Sequence, residues 1–267
     1  MKCAAVQMRS TRDLAANSRR IAKSIQDTAA KGARVVVFPE CALTGYFEDT
    51  ITNLSTMEIT NAASQVYAAC RNAHVYAIVG SAWREGDAFY DSALIIDPAG
   101  RLIERYDKMQ LAEKWPRAGD KLFVFQIDGV PCSVMICHDE RYPELVRLPV
   151  LAGAKLIFYV SHESGLDEQS KIGPYRAQIQ ARAVENNVFI IQANAPANPD
   201  KTGSHGQSRI IAPDGNVLQE SSISEEDILI GTLDLKRATR SNALNSLKRG
   251  PLAAWWAEGL KHVKRVE

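Results

Sequence analysis

The sequence predicts an α/β protein in which two β-sheets pack against each other with helices outside. Three observations carry this. About ten short apolar runs of strand length are interleaved with several amphipathic helical patterns, too many strands for one small open sheet. The connections mix helix-linked crossovers with tight hairpins. Runs such as 35–38 are apolar on both faces and need cover on both sides.

The elements follow in order. "KCAAVQM" (2–8) is a first strand, and residues 10–13 can cap a helix with an apolar stripe at Leu14, Ile21 and Ile25 that Gly32 ends. "VVVF" (35–38) is a buried strand entering "PECALTGY". A helix over 56–73 and the strand "VYAIVGSAW" (75–83) come next. Two strand pairs follow: 92–108 turns at 97–100, and 122–137 turns at 128–129. A helix near 143–153 leads to the strand 155–161; Pro149 within it predicts a kink. Pro174 starts a long helix to about Asn187, then come the strand 188–195, the hairpin 208–220 and the closing strand 227–235. The tail 236–267 carries no sheet signal. Its Trp255 and Trp256 beside Leu252 and Leu260 are expected to dock on the body or on a second subunit. No repeat, low-complexity segment or long linker interrupts the chain, so one domain over 1–267 with a C-terminal tail is expected.

Composition narrows the function classes. With 46% hydrophobic residues, the 267-residue chain can bury a sizeable core. Thirty-two basic against thirty-one acidic residues leave a net +1, which argues against a nucleic-acid surface or a polybasic membrane anchor. No apolar run reaches membrane-spanning length, and Gln7 and Arg9 interrupt any signal-peptide pattern. Five unclustered cysteines do not make a disulfide framework. A reduced, cytoplasmic protein is expected, with Cys3, Cys41, Cys70 and Cys132 as small packing residues. There is no C-x-x-C pair, no H-E-x-x-H, no Gly-rich phosphate loop and no G-x-S-x-G, so neither a metal nor a cofactor is expected. His162 and His205 are expected on the surface or in loops.

Three chemically capable residues stand just past predicted strands: Glu40 after "VVVFP", Lys108 after "LIERYD" and Cys137 after "SVMI". Carboxyl ends of strands are where α/β sheets bind ligands. A carboxylate can deprotonate a thiol and an ammonium can hold an anionic intermediate, so the three make a set for acyl transfer. Spacing alone leaves open a buried structural cysteine with a surface glutamate and lysine.

"VVVFPECALTGY", "YDKMQLAEKW" and "SVMICHDERYPEL", in this order, resemble the three signatures of the nitrilase superfamily, the carbon–nitrogen hydrolases. "GPYRAQIQARAVENNVFIIQANA" and "GQSRIIAPDGNVL" extend the resemblance over nearly the whole chain. It implies a four-layer α-β-β-α sandwich with two mixed sheets. It further implies Cys137 as nucleophile at a sharp strand-to-helix elbow, Glu40 as general base and Lys108 as oxyanion partner, with the His138 backbone N–H as a second donor. Glu113 matches the second active-site glutamate of amidase members, although its loop from Lys108 is shorter than in many relatives. The reaction implied forms a thioester, releases ammonia or an amine, and ends with hydrolysis. A homodimer or higher homo-oligomer is implied, pairing the helices near 143–153 and 172–187.

Within that resemblance, His138–Asp139 replaces the Trp–Glu of the strict nitrilase branch, which favours small linear amides or N-carbamoyl (ureido) compounds as substrates. Nitrile hydrolysis and N-acyl transfer are the enzymatic alternatives; a non-catalytic binding or scaffold protein is the other. A Cys137–His138 couple is disfavoured because consecutive residues at an elbow point apart. Asp139 and Arg141 are expected to hold the elbow, with Arg141 alternatively gripping a substrate carboxylate. Arg182 and Glu185 are expected to form a structural pair. The segment 161–171, with His162 and Glu163 assigned to substrate binding, holds Glu163, Asp167 and Glu168 against Lys171. It is expected to form an acidic pocket wall that favours an amine-bearing substrate.

Overall fold

The computed structural model describes residues 1–200 and 202–266. The last residue of the predicted tail lies outside them. One mixed sheet runs β12-β1-β2-β3-β4-β5, built from β1 (Lys2–Gln7), β2 (Val35–Val37), β3 (Tyr76–Glu85), β4 (Ala88–Ile96), β5 (Leu102–Asp107) and β12 (Asp227–Thr232). The second runs β11-β10-β9-β8-β7-β6-β13, from β6 (Leu122–Ile127), β7 (Val130–Ile136), β8 (Leu156–Ser161), β9 (Phe189–Asn194), β10 (Arg209–Ile211), β11 (Val217–Glu220) and β13 (Val263–Arg265). In the first sheet β1, β2 and β3 are parallel neighbours, and the β3–β4 and β4–β5 pairs are antiparallel. In the second, β7, β8 and β9 are parallel.

Alternation along the strands makes the layers. Cys3 and Ala5 of β1, Val35 and Val37 of β2, and Ala93 and Ile95 of β4 point into the core shared with the second sheet. Their neighbours Ala4, Val6, Val36, Leu94 and Ile96 pack outward against Ile21 and Ile25 of α1 (Leu14–Ala30) and Ala62 and Val66 of α3 (Thr56–Ala73). A short α2 (Glu48–Ile51) lies between those two helices in sequence. On the far side α4 (Glu144–Ala152) and α5 (Gly173–Asn186) contribute Leu145, Val146, Ile179 and Ala183 to the core with the second sheet. The result is a four-layer α-β-β-α sandwich. Each fully buried Val, Leu or Ile contributes about 1.5–3 kcal/mol, so two-sided burial of the strands is the dominant stabilising term.

The helix ends obey local chemistry. Asp13 accepts from the Ala16 N–H at 3.0 Å to start α1. Ser55 and Glu58 exchange the two bonds of a capping box at the start of α3. Asn187 closes α5 in the left-handed conformation. Arg182 pairs with Glu185 at 3.0 Å, and the four cysteines expected to pack are all fully buried.

Two expectations need correction. The tail does join a sheet: β13 pairs in parallel with β6, carried there by α6 (Ser241–Ser246) and α7 (Leu252–Leu260). A three-residue strand containing Lys264 and Arg265 has no apolar run to betray it. Trp256 and Leu260 pack on the core, whereas Trp255 and Leu252 remain exposed. The strand 75–83 also continues to Glu85 and turns back at Ala88, so residues 84–91 belong to a long hairpin. Polar Arg84, Glu85 and Asp91 broke the apolar pattern there.

Candidate active site

Glu40, Lys108, Cys137 and His162 each directly follow or stand close to the C-terminal end of a strand, namely β2, β5, β7 and β8. Two close approaches position them. A Cβ on Gly80 of β3 would lie 2.2 Å from the Pro39 carbonyl oxygen and 2.6 Å from Glu40 Cα, so only glycine lets that strand run against the Glu40 turn. Gly119 would similarly meet the Asp107 carbonyl at 2.1 Å, and its N–H donates to the Lys108 carbonyl at 2.9 Å. The Glu40 N–H donates to the Ser161 carbonyl at 3.2 Å, tying the two sheets together at the site.

Lys108 Nζ is the hub. It donates to Glu40 Oε1 at 2.6 Å, to Glu113 Oε1 and Oε2 at 2.9 and 3.0 Å, and to Asp91 Oδ2 at 3.3 Å. Tyr46 donates its hydroxyl to Glu113. Lys108 is fully buried; desolvation disfavours its charge, but Glu40 and Asp91 outweigh that and raise its pKa well above the usual lysine value. Burial would raise the Glu40 carboxyl, yet the Lys108 charge and a hydrogen bond with Asp91 hold it below its ordinary value. The expected residues Glu40, Lys108 and Glu113 are therefore brought into one hydrogen-bonded group. Asp91 was not foreseen: it sits inside β4, where a polar residue reads as one more alternating position.

Cys137 occupies the elbow with φ of 42°, a left-handed conformation that costs a non-glycine residue about 1–3 kcal/mol. A short 3₁₀ turn, Cys137–Arg141, follows it. Asp139 secures the turn: its carboxylate accepts from the Ile136 N–H at 3.1 Å, the Gln110 N–H at 2.8 Å and the Tyr106 hydroxyl at 2.8 Å. Burial pushes the Asp139 carboxyl up to about 6 against those donors. Cys137 retains 8% exposure where the other four cysteines have none. Burial first, then the Glu40 charge, raises its thiol well above the ordinary range, so the resting sulfur carries its proton.

The flanking residues divide. The His138 ring packs edge-on to Tyr142, and burial lowers its pKa. Arg141 donates to the Tyr175 hydroxyl at 2.9 Å and lies over that ring. His162 stacks flat on Tyr46 with centroids 4.2 Å apart, and burial likewise lowers its pKa. The acidic wall does not form as expected. Glu163 is buried, accepting from Gln192 Nε2 at 2.8 Å and facing His205 Nε2 at 3.0 Å, because its backbone enters the sheet interior directly after β8. His205 is correspondingly buried rather than a surface loop residue. Asp167 and Glu168 are exposed. A cavity of about 390 Å³ abuts the site through Tyr46 and His162, and Arg9 is the one charged group lining it among the described residues.

A protonated thiol on a strained elbow, beside an ionised carboxylate and a buried ammonium, is a set suited to nucleophilic acyl chemistry. A family model described as carbon–nitrogen hydrolase matches residues 2–242, and the chain belongs to that family of enzymes. Among curated relatives, the chain is 32% identical over 216 residues to the 2-oxoglutaramate amidase of Bacillus subtilis (strain 168), covering 78% of this chain and 81% of that one. It is 32% identical over 239 residues to a nitrilase of Pyrococcus abyssi (strain GE5 / Orsay), covering 84% and 87%. A mutant of the Nesterenkonia AN1 amidase from the nitrilase superfamily superimposes with a TM-score of 0.85 at 22% identity, over 96% of this chain and 97% of that one.

Proposed function

We propose that the protein hydrolyses the C–N bond of a small linear amide through a Cys137 thioester. The observation that carries this reading is the Cys137 elbow set beside the Glu40–Lys108–Glu113 group. Ionised Glu40 takes the thiol proton as sulfur attacks the carbonyl carbon. Lys108 and the His138 N–H stabilise the tetrahedral oxyanion. Glu40 then returns the proton to the departing nitrogen, ammonia or an amine leaves, and the thioester remains. Water attacks that thioester with Glu40 again as base and Glu113 positioning the nucleophile, and the carboxylic acid departs as the thiol re-forms.

The charge of the neighbouring cavity decides between substrate classes. The Arg9 guanidinium is held through Nε and Nη2 by the carbonyls of Ala197 and Ser224 rather than by a carboxylate, so its charge is not cancelled by those contacts. With Glu163 turned inward, this favours an amide bearing a carboxylate over the amine-bearing or ureido substrate expected from the sequence. The substrates in the names of the relatives vary, from an oxo-acid amide to nitriles, so a direct panel is the test. Ammonia release should be compared among carboxylate-bearing amides, neutral amides, ureido acids, an amine-bearing amide and nitriles, with Cys137→Ala as control. Activity on an amide, abolished in C137A while a thioester is trapped by acid quench in the wild type, is expected. Nitrile turnover exceeding amide turnover would overturn the amide reading, and an amine-bearing amide preferred over a carboxylate-bearing one would overturn the Arg9 argument.

A further inference from the structure

The site holds more buried acid than its reaction employs. Glu40, Asp91 and Glu113 bring carboxylate oxygens within 4.8 Å of one another around a single ammonium, Lys108. Asp91 and Lys108 are wholly enclosed and Glu40 nearly so. Three ionised carboxylates against one ammonium would leave a net charge of about −2 out of water, an arrangement that relaxes by binding a proton.

The hydrogen bonds indicate which carboxyl takes it. Glu113 accepts from Lys108, Tyr46 and the Ala112 N–H, and Glu40 makes the shortest Lys108 contact, 2.6 Å. Asp91 has the longest, 3.3 Å, and its only other side-chain donor among the described residues is the Cys41 thiol at 3.8 Å. The titratable groups facing this cluster from the surrounding elements are Cys41 and Tyr46 from the segment after β2, Cys137 and His138 from the β7 elbow and His162 after β8. Burial and the Glu40 charge both push the Asp91 carboxyl well up.

We propose that Asp91 is a protonated positioning residue that donates a hydrogen bond to the Glu40 carboxylate and so keeps the general base ionised and aimed. Asp91 touches neither substrate nor the reacting sulfur in this role; it acts through Glu40. The inference rests on the acyl-transfer reading for its kinetic consequence but not for its protonation state.

The test uses two variants of the full chain. Asp91→Asn keeps a donor of the same shape without an ionisable proton; Asp91→Val has similar bulk, with β-branching that suits a strand, but no donor. D91N is expected to retain kcat within about threefold, with the acid limb of kcat/KM unmoved. D91V is expected to lose roughly 10- to 150-fold in kcat with KM little changed, the loss of one hydrogen bond to a charged group, and its acid limb should move to higher pH because Glu40 loses a donor. Infrared difference spectra of wild type minus D91N, recorded at neutral pH without substrate, should contain the deuteration-sensitive C=O stretch of a protonated carboxyl. Absence of that band, or a D91N loss as large as that of D91V, would overturn the proposal. Should D91V fail to fold, D91N and the infrared band decide alone. The band requires no turnover, so failure of the substrate reading leaves it intact.

Discussion

Lys108→Met is the substitution whose consequences follow most directly from the geometry. Methionine preserves the length of the side chain and removes the charge that Glu40 meets at 2.6 Å and Glu113 at 2.9 Å. Two carboxylates within 4.8 Å of each other at an effective dielectric constant of about 20 repel by at least about 3.5 kcal/mol, and breaking a buried ion pair costs about 3–5 kcal/mol. At about 2.1 cal/mol/K per residue, 267 residues give an unfolding entropy near 0.56 kcal/mol/K, so the melting temperature should fall by about 5–9 °C at pH 8. The loss should depend on pH. Without the ammonium, the folded Glu40 pKa rises from below to above its unfolded value near 4.5, so the penalty is smaller at pH 4.5, where only the lost wild-type depression counts, and grows as pH rises toward the new folded pKa. Melting curves at pH 5 and pH 8 measure this, and ammonia release measures activity, which should drop by about 10²- to 10³-fold with the Lys108 share of oxyanion stabilisation gone and only the His138 N–H left. Adding Glu113→Gln should recover part of the melting temperature and none of the activity. An equal shift at both pH values, or activity within tenfold of wild type, would refute the electrostatic account.

Further outcomes are expected. Iodoacetamide followed by peptide mass mapping should modify Cys137 ahead of the other four cysteines, since it alone retains exposure, 8%; faster modification of Cys41 or Cys70 with activity intact would remove Cys137 from the mechanism. The kcat/KM profile should be flat from about pH 7 to 9, because Glu40 is held below its ordinary value while Cys137 and Lys108 titrate well above theirs, and should fall on the acid side as Asp139, raised to about 6, takes a proton and loosens the elbow. A limb near pH 6.5 that disappears in His138→Gln would instead favour a Cys–His couple. Asp139→Asn replaces an acceptor with an amide where the Ile136 N–H and Tyr106 hydroxyl both point, and should cost about 1–3 kcal/mol in urea unfolding and lower kcat; a neutral effect would show that the elbow stands without it. We also propose self-association through the face bearing Trp255, which is 55% exposed beside Leu252. Light scattering should give a dimer or larger species that Trp255→Ser weakens, and a wild-type monomer at micromolar concentration would refute it.

What was legible in the sequence and what was not separates by the range of the interactions involved. The two-sided apolar run at β2 and the cap within residues 10–13 before α1 are local signals, and they pointed to sheets covered by helices, as the structure has them. Glu40, Lys108 and Cys137 were findable because each stands within a few residues of a strand end, inside a segment with its own signature. Asp91 reaches Lys108 only because β4 and β5 pair with Ser92 opposite Asp107, a register that no local pattern states. Glu163 misled for the same reason: its neighbours in sequence are polar, but its partners Gln192 and His205 arrive from β9 and from a loop some forty residues on. Polarity in a segment therefore predicted solvent where the fold supplied buried partners. The difference matters for function because a nucleophile, a base and a cation name a class of chemistry, while the surrounding carboxyls and donors set which of them is charged. Those neighbours come from four separate strand ends and loops, so the protonation state of this site is a property of the assembled sandwich, and substitutions in β4 should reach the chemistry as surely as those at the elbow.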